Sequence, residues 1–251
     1  MKTIIVIPAR LASTRLPNKV LLDLDGKTIL QRVYEQCLKV KGVDVFIATD
    51  SLDVKMSCIK YTANVIMTST EHKSGSDRIT EAIKRLDFDA IINVQGDEPF
   101  INPALIEKFL IELESNDTNV VTACERISNS EELFDSNVVK VVKDHYGNAL
   151  YFSRSCIPHI RDKNKLLPNE EKFYKDFKFY KHIGIYGYKK KFLKSYSKLN
   201  NSNLENLEML EQLRILESGF KIKVLETKFK SFGIDTEEDY KKALKIIKNG
   251  I

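Results

Sequence analysis

The first half of the chain alternates short, uninterrupted apolar runs with segments whose apolar residues recur every three or four positions. Three such runs occupy residues 3–8, 43–48 and 90–94. A run without polar alternation is typical of a strand that is buried on both faces, as in a parallel sheet. Residues 28–40 have the spacing of an amphipathic helix instead, and a second helix is expected to end near Ile59. This alternation predicts an α/β fold with a mainly parallel central sheet.

The remaining predicted elements continue the same pattern. Further helices are predicted over 74–86, 102–113 and 204–216 and from Thr236 onwards, and further strands over 64–67, 120–126, 182–188 and 220–226. Strands over 138–143 and 149–153 are joined by a turn at 145–148, which predicts an inserted β-hairpin. The polar, Lys-rich stretch 162–178 is predicted to be a mobile loop. Because no repeat or linker divides the chain, we expect one domain over residues 1–251.

Composition excludes several classes of protein. Hydrophobic residues make up 43% of the chain and charged residues 30%, which excludes disordered, collagen-like and low-complexity chains. No apolar run has the length of a membrane span or of a signal-peptide core. The cysteines Cys37, Cys58, Cys124 and Cys156 are scattered, which favours reduced thiols over disulfides or a zinc site. We therefore expect a cytoplasmic protein without membrane insertion.

The net charge of +5 does not by itself indicate a nucleic-acid partner. Most of the 40 basic residues are lysines, and they are dense in the second half of the chain. A protein that reads nucleic acid is expected to concentrate arginine and aromatic residues on one surface, whereas dispersed lysines are usually a solvated coat. We expect no nucleic-acid partner, and a basic RNA-binding module is kept as a remote alternative.

The segment that follows the first strand is rich in cations. Arg10, Arg15 and Lys19 fall within ten residues, after Pro8 and Ala9. In an open α/β sheet, ligands bind beyond the carboxyl ends of the strands. Arginine grips phosphate oxygens with two donors and lysine adds a point charge, so the segment favours phosphate binding. The alternative is a solvated loop with incidental charges.

Two carboxylates follow the strand at 90–94. The sequence N-V-Q-G-D-E-P at 93–99 places Asp97 and Glu98 at the same sheet edge. Magnesium prefers one or two carboxylates together with phosphate oxygens, which predicts a metal-held nucleotide; a capped loop is the alternative. Asp235 precedes Thr236, which can cap the last helix, and so Asp235 is a candidate for a second metal ligand. A favourable interaction with the helix dipole is the alternative for Asp235.

Eight motifs carry a resemblance to a known family. In chain order they are I-P-A-R-L-A-S-T-R-L-P-N-K, A-T-D, H-K-S-G-S-D-R-I, N-V-Q-G-D-E-P, A-L-Y-F-S-R, H-I-G-I-Y-G-Y, E-M-L-E-Q-L-R and G-I-D-T-E-E-D. Together they closely resemble the CMP-Kdo synthetases, or 3-deoxy-manno-octulosonate cytidylyltransferases. The match runs from Ile5 to about Tyr240.

The resemblance implies a fold, a reaction and an assembly. The fold is that of the Rossmann-like nucleotide-diphospho-sugar transferases, with a nucleotide-binding half over 1–125 and a sugar-binding and dimerisation half over 126–251. The implied reaction joins CTP to the sugar acid 3-deoxy-D-manno-octulosonate (Kdo), with Mg²⁺, to give CMP-Kdo and diphosphate for lipopolysaccharide biosynthesis. The implied assembly is a homodimer.

The resemblance also implies a role for individual residues. Those implied for the nucleotide are Pro8, Ala9, Arg10, Arg15, Lys19, Ser74, Gly75, Arg78 and Gln95. Those implied for the sugar acid are Gln95, Arg154, His182, Tyr186, Glu211 and Gln212, with Arg154 meeting the carboxylate. Arg10, Lys19 and Asp97 are implied as catalytic residues, and Asp97 and Asp235 are implied as ligands of Mg²⁺.

The helix predicted over 204–216 and two other positions bear on the site. Glu208, Glu211 and Gln212 would share one face of that helix. Tyr188, two residues from Tyr186 on a strand, is interpreted as packing. Asn18 stands where the family usually has glycine, and asparagine tolerates a positive φ better than most residues.

Several alternatives remain open at this stage. The same chemistry could act on the 8-amino analogue of Kdo or on a nonulosonic acid such as a sialic acid. A catalytically inactive relative would bind CTP without releasing diphosphate. The RNA-binding alternative predicts salt-sensitive RNA binding and no magnesium-dependent turnover.

Overall fold

The chain forms two compact units in the computed structural model, which describes residues 1–11, 13, 15–62, 64–72, 75–162, 170–196 and 198–249. The first unit comprises Met1–Ile111 and Ser231–Ile251, and the second comprises Glu112–Lys230. The predicted halves, divided at residue 125, differ from these units because the last segment belongs to the first one. Ile234 and Ala243 are fully buried there in a cluster with Leu16 and Leu24.

Most strands and helices agree with those predicted from hydrophobic spacing, but the short helices at Ser130–Phe134, Glu170–Asp176 and Lys190–Tyr196 were not predicted. The strands are β1 Thr3–Ala9, β2 Asp44–Thr49, β3 Val65–Met67, β4 Ala90–Asn93, β5 Val120–Ile127, β6 Lys140–Lys143, β7 Ala149–Ser153, β8 Phe179–Lys189 and β9 Lys223–Thr227. The α-helices are α1 Ile29–Leu38, α2 Leu52–Cys58, α3 Gly75–Ala82, α4 Pro103–Glu114, α5 Ser130–Phe134, α6 Glu170–Asp176, α7 Lys190–Tyr196, α8 Asn203–Glu208, α9 Gln212–Glu217 and α10 Glu237–Lys248. No described helix has the length and apolarity of a membrane span.

Four parallel strands form the sheet of the first unit. Their order is β3–β2–β1–β4, the arrangement of one half of a doubly wound nucleotide-binding fold. All seven residues of β1 are buried, which explains its uninterrupted apolar sequence. The predicted mainly parallel sheet is therefore confirmed in this unit, and its four carboxyl ends share one edge.

Hydrogen bonds from capping side chains stabilise the first turns of the helices around this sheet. The Thr28 and Ser51 hydroxyls accept hydrogen bonds from the backbone at the start of α1 and α2. Asn102 Oδ1 accepts from Ala104 N at 2.8 Å, which confirms the predicted start of α4. At α10, Thr236 caps the helix as predicted, and together with Asp239 it forms a capping box.

The second unit is mostly antiparallel. β5 pairs with β8 in antiparallel and with β9 in parallel orientation, and β6 pairs with β7 as the predicted hairpin. The hairpin turn is held by Asp144, whose carboxylate accepts from the backbone of Tyr146 and Asn148. Gly147 has a φ of +80° in that turn, where a Cβ would be strained.

The single helix predicted over 204–216 is wrong, because the structure has two short helices there. Met209 adopts a left-handed conformation with a φ of 53° and ends α8. Beyond this break, Arg214 binds the buried carboxylate of Glu205 with two hydrogen bonds of 2.6 and 2.5 Å. In a continuous helix the two residues would stand about 13 Å apart along the axis. The bidentate ion pair therefore requires the break.

The loop predicted over 162–178 is also wrong in part. Residues 163–169 lie outside the described part of the chain, but Glu170–Asp176 form α6. The helix forms because Phe173 and Tyr174 are buried against apolar residues of neighbouring elements, including Leu133 and Phe179. Tertiary burial thus overrides a polar local composition.

Candidate functional site

A cavity of about 520 Å³ opens at the carboxyl ends of the first unit's strands. It contains every residue predicted to bind nucleotide or metal except Ser74, which lies outside the described residues. Those lining it are Pro8, Ala9, Arg10, Arg15, Lys19, Gly75, Arg78, Gln95, Asp97 and Asp235, together with Ser13, Val20 and Gly96. The volume lies within the range of about 300–1,000 Å³ that is usual for small-molecule sites.

Gly96 allows the loop after β4 to lie against the end of β1. A Cβ built on Gly96 would lie 2.9 Å from the carbonyl oxygen of Pro8, which is closer than real Cβ atoms approach. Only glycine fits there without a shift of backbone. This close contact places Gln95 and Asp97 beside the cation-rich segment that follows β1.

Lys19 lies between the two carboxylates predicted to hold metal. Its Nζ atom is 2.5 Å from Asp97 Oδ2 and 2.7 Å from Asp235 Oδ1, and its side chain is only 10% exposed. Burial disfavours the ammonium, but the two carboxylates outweigh burial and raise the pKa of Lys19. The structure therefore brings the three charged groups together, with a cation shared by the two aspartates.

Two hydrogen bonds of the segment before Asp235 hold this residue beside Asp97; we call them the clamp. Ile234 N donates to the carbonyl of Asp97 at 2.9 Å, and the Ser231 hydroxyl donates to Glu98 Oε2 at 2.9 Å. Ile234 is completely buried. The clamp was not predicted, and its sequence signal is the apolar Ile234 directly before the candidate ligand.

The cation-rich segment contains a left-handed residue just before Lys19. Asn18 has a φ of 54°, which asparagine tolerates better than most residues. Arg15 Nη2 lies 3.1 Å from Asp235 Oδ2 with its side chain 60% exposed. Burial raises the pKa of Asp235, but the charges of Lys19 and Arg15 outweigh this and hold that pKa below its usual value. Arg10 is exposed at the cavity wall.

Arg78 lines the cavity as a buried residue with fixed partners. Its guanidinium donates to Asp50 Oδ2 at 2.6 Å and to the Thr68 hydroxyl at 2.7 Å, and the residue is 2% exposed. Asp50 follows β2 directly, so the ion pair holds α3 to the end of a neighbouring strand. Arg78 thus shapes the cavity, and the role of Asp50 in this was not foreseen although it belongs to the A-T-D motif.

A bulge in β8 brings two predicted sugar-side residues together in the second unit. Ala123 pairs with Ile183 but the adjacent Thr122 pairs with Tyr186, so β8 takes three steps for one step of β5. The rings of His182 and Tyr186 consequently lie 5.4 Å apart between centroids. Four residues of a regular strand would span about 13 Å. Gly184 inside the strand is the sequence signal for this bulge.

Burial governs the chemistry of this aromatic pair. Burial lowers the pKa of His182 to about 3, so the imidazole is neutral near pH 7. Its Nε2 atom lies 3.0 Å from the Thr122 hydroxyl, which also lies 2.8 Å from the carbonyl of Ile185. Since the hydroxyl has one proton, a bond from Thr122 to Ile185 makes the imidazole Nε2 the donor and leaves Nδ1 as an acceptor.

Tyr186 has a buried hydroxyl that needs a partner. The residue is 8% exposed, and its oxygen has no hydrogen-bond partner among the described residues. Buried polar groups are nearly always paired, so this oxygen is suited to a ligand. Burial raises the pKa of Tyr186, the nearby Thr122 hydroxyl lowers it without forming a well-oriented hydrogen bond, and the charge of Glu211 raises it further. Tyr188 stacks on Tyr186 at 5.7 Å, which confirms its interpretation as packing.

Arg154 is held by neutral groups. Its Nε donates to the carbonyl of Glu208 at 2.9 Å and its Nη1 to the carbonyl of Ser136 at 3.2 Å. The carboxylate of Glu208 instead accepts from the Ser153 hydroxyl at 2.6 Å and from Arg154 N at 2.9 Å. Among the described residues no carboxylate oxygen lies within 4.0 Å of the guanidinium. Its charge is therefore available to an anion.

The last two sugar-side residues lie at the start of α9. Glu211 is the exposed N-cap residue of this helix, and Gln212 is its first residue and is buried. The helical face predicted to join Glu208, Glu211 and Gln212 is wrong, because the break at Met209 separates Glu208 from the other two.

The strand order and the cavity define a nucleotide-binding α/β protein, and the comparisons refine this class. The cytidylyltransferase family model matches residues 4–224. A 3-deoxy-manno-octulosonate cytidylyltransferase from Geotalea daltonii is 42% identical, with 99% of each chain covered. Another from Thermodesulfovibrio yellowstonii is 44% identical, with 98% of each chain covered.

A solved structure shows the same likeness in three dimensions. The structure of CMP:2-keto-3-deoxy-manno-octonic acid synthetase complexed with CTP is 38% identical and covers all of both chains, with a TM-score of 0.91. The chain therefore belongs to the family of 3-deoxy-manno-octulosonate cytidylyltransferases.

Proposed function

We propose that this protein transfers the cytidylyl group of CTP to Kdo, releasing diphosphate and forming CMP-Kdo for lipopolysaccharide biosynthesis. The observation that carries the proposal is the buried ammonium of Lys19 between Asp97 and Asp235, in a cavity that Arg10 and Arg15 also line. The full-length relatives named for this activity support it, as does the solved structure of a CMP-Kdo synthetase with CTP.

The cations of the cavity suit the triphosphate. In the reaction, the anomeric hydroxyl of Kdo attacks the α-phosphorus and the bond to the diphosphate leaving group breaks. Lys19 and Arg15 would neutralise charge on the leaving group, and Arg10 would hold further phosphate oxygens. Such a step depends on positioning and on electrostatic stabilisation of developing charge. Gly75 and Arg78 would border the cytidine.

We propose Mg²⁺ as the cofactor, held by Asp97 and Asp235. The residues fit this ion because the two carboxylates already share one cation, and magnesium binds to one or two carboxylates completed by phosphate oxygens. When bound, Mg²⁺ would supply charge neutralisation at the phosphates. Lys19 could then turn from the aspartates to the phosphates, because its flexible stem carries a point charge.

The sugar acid has matching groups in the second unit. Arg154 presents a guanidinium without a carboxylate partner, which suits the carboxylate of Kdo. The unpaired hydroxyl of Tyr186 and the neutral imidazole of His182 suit sugar hydroxyls, which both donate and accept. Glu211, Gln212 and Gln95 are proposed to complete the contacts to the sugar.

We further propose that the protein is a homodimer and acts in the cytoplasm. Leu150, Leu207 and Met209 of the second unit are 62%, 74% and 76% exposed, and the proposed dimer would cover them. The four cysteines are free thiols, which agrees with a reducing compartment.

The direct test is magnesium-dependent diphosphate release from CTP by the purified protein. Kdo, 8-amino-Kdo and a sialic acid are offered in parallel, with ATP, GTP and UTP as control nucleotides. Release with Kdo and CTP alone is expected. If the amino sugar or the sialic acid is preferred, the proposed mechanism still holds, but the substrate is that sugar and not Kdo.

Absence of release with all three sugars would contradict the proposal. CTP binding without release would then identify an inactive relative, whereas salt-sensitive RNA binding would support the RNA-binding alternative.

A further inference from the structure

We propose that Lys140 is a positioning residue for the sugar carboxylate, which fixes the backbone around Arg154 and adds positive charge behind its guanidinium. This inference rests on the proposed function, since it takes the ligand to be a sugar acid. Lys140 belongs to none of the eight sequence motifs and does not line the cavity of the first unit.

Lys140 is completely buried and its ammonium is fully bonded. Its Nζ atom donates to the carbonyl oxygens of Asp135, Val138 and Arg154 at 2.8, 2.7 and 2.5 Å. Three carbonyls satisfy the three N–H donors of the ammonium. Among the described residues no carboxylate oxygen lies within 4.0 Å of this atom. Lys140 is therefore a buried cation whose hydrogen bonds all go to backbone carbonyls.

A buried charge of this kind lowers the stability of the fold, so stability does not explain why a lysine is present. Removing an ammonium from water without a carboxylate bonded to it costs free energy, whereas methionine has nearly the length of lysine and carries no charge. Burial also lowers the pKa of Lys140, which reflects the same cost. A lysine at this position is thus better explained by what its charge and its three bonds do.

The three bonds converge on Arg154. Lys140 binds the carbonyl of Arg154 itself, and it binds Asp135 and Val138 on either side of Ser136. The carbonyl of Ser136 in turn accepts from Arg154 Nη1 at 3.2 Å. One ammonium therefore holds both the backbone of Arg154 and the segment that orients its side chain.

The charges of Lys140 and Arg154 add to each other. Both cations are bound through neutral carbonyls, and the carboxylate of Glu208 is occupied by Ser153 and by the backbone of Arg154. Burial is the main cause of the lowered pKa of Lys140; the charges of Asp135 and Glu208 raise that pKa, and the like charge of Arg154 lowers it. Lys140 and Arg154 are therefore close enough to interact, so an anionic substrate group bound at Arg154 would be attracted by both cations.

The test compares a charged ligand with its neutral counterpart. Two probes are used. Kdo is the substrate, and the methyl ester of Kdo, which lacks the carboxylate charge, is a competitive inhibitor. The variants are Lys140→Met and Lys140→Gln, with Lys140→Arg as the charge-retaining variant. The control is Lys143→Met, which removes another lysine of β6 that bonds to Glu226 at 3.1 Å.

We expect Lys140→Met to raise the KM for Kdo about tenfold, as for loss of a charge-assisted interaction, with the KM for CTP unchanged. The Ki of the neutral ester should change little, so the preference for acid over ester falls. Lys140→Arg should recover part of that preference. Lys143→Met should leave the preference unchanged.

Equal losses for acid and ester would overturn the proposal, because they would show general damage to the pocket. An unchanged KM for Kdo in both neutral variants would also overturn it. If neither neutral variant folds, Lys140 is a stability residue and the proposal is wrong. Failure of the wild-type protein to use any sugar acid is a distinct result that rejects the proposed function and, with it, this inference.

Discussion

Lys19 Nζ donates a hydrogen bond of 2.7 Å to Asp235, which lies 216 positions further along the chain. The same ammonium is 2.5 Å from Asp97. One buried cation thereby joins the loop after β1, the loop after β4 and the segment that precedes α10. Without it, two partly desolvated carboxylates would lie close together with less compensation for their charges. The site is thus organised by a residue whose proposed partner in catalysis is the triphosphate.

Replacement of Asp97 tests the proposed metal site. Asp97→Asn should lower turnover about 100-fold or more, since it weakens the binding of a cation that stabilises developing charge. The fold should persist because Asp97 stands at a partly exposed loop. Turnover measured against Mg²⁺ concentration checks this. Asp53→Asn is the matched control, because Asp53 is an exposed residue of α2 and does not line the cavity. Near-normal activity of Asp97→Asn at limiting Mg²⁺ would reject the assignment.

The ion pair of Asp235 should give stability a specific dependence on pH. The pKa of Asp235 is lowered from 3.8, because Lys19 and Arg15 outweigh the effect of burial. A carboxyl with a lowered pKa stabilises the fold above its unfolded pKa, and this contribution is lost as pH falls through the folded pKa. The difference in unfolding free energy between wild type and Asp235→Asn should therefore be full near pH 6 and decline below 3.8. A pH-independent difference would contradict the ion-pair account.

The left-handed conformation of Asn18 predicts that glycine and alanine at this position differ in their effect on stability. Asn18→Gly should retain stability, because glycine adopts a positive φ freely. Asn18→Ala should destabilise the protein by about 1 kcal/mol, since a Cβ is disfavoured in this region without a compensating polar side chain. Urea unfolding of both variants measures this. Equal stability of the alanine and glycine variants would show that the backbone relaxes there.

His182 should not titrate in the physiological range. Burial lowers its pKa to about 3, from an ordinary value of 6.5, so the imidazole stays neutral between pH 5 and 8. Nuclear magnetic resonance of the ring protons should show no titration of His182 over that range. The unfolded chain binds a proton near pH 6.5 while the folded protein does not, so stability should fall between about pH 6.5 and 3. This fall should be smaller in His182→Gln, and a ring titration near 6.5 would contradict the buried, neutral state.

Local patterns predicted the first unit well. The apolar run of β1 and the capping residue Thr236 are short-range signals, and each corresponds to an element with nearly the expected bounds. Asn18 was also interpretable locally, because its backbone preference is intrinsic to the residue. The proximity of Asp97 to Lys19 followed from the rule that parallel strands share their carboxyl ends.

Contacts between distant residues were beyond such patterns. The break at Met209 accompanies the ion pair of Glu205 and Arg214, which are nine positions apart, and α6 is stabilised by burial of Phe173. The burial of Lys140 could not be foreseen, because its partners are backbone carbonyls and every residue type offers those. No side-chain motif in the sequence therefore indicates that Lys140 is buried.

The sequence by itself determined the class of fold, the family and the residue types available for phosphate and metal, because these depend on periodicity and on short motifs. Only the tertiary structure decided that Lys19 lies between Asp97 and Asp235, that the β8 bulge brings His182 beside Tyr186, and that the Arg154 guanidinium is bonded to backbone carbonyls. The physical reason is that burial and electrostatic pairing depend on distances in space, which separation along the chain does not specify.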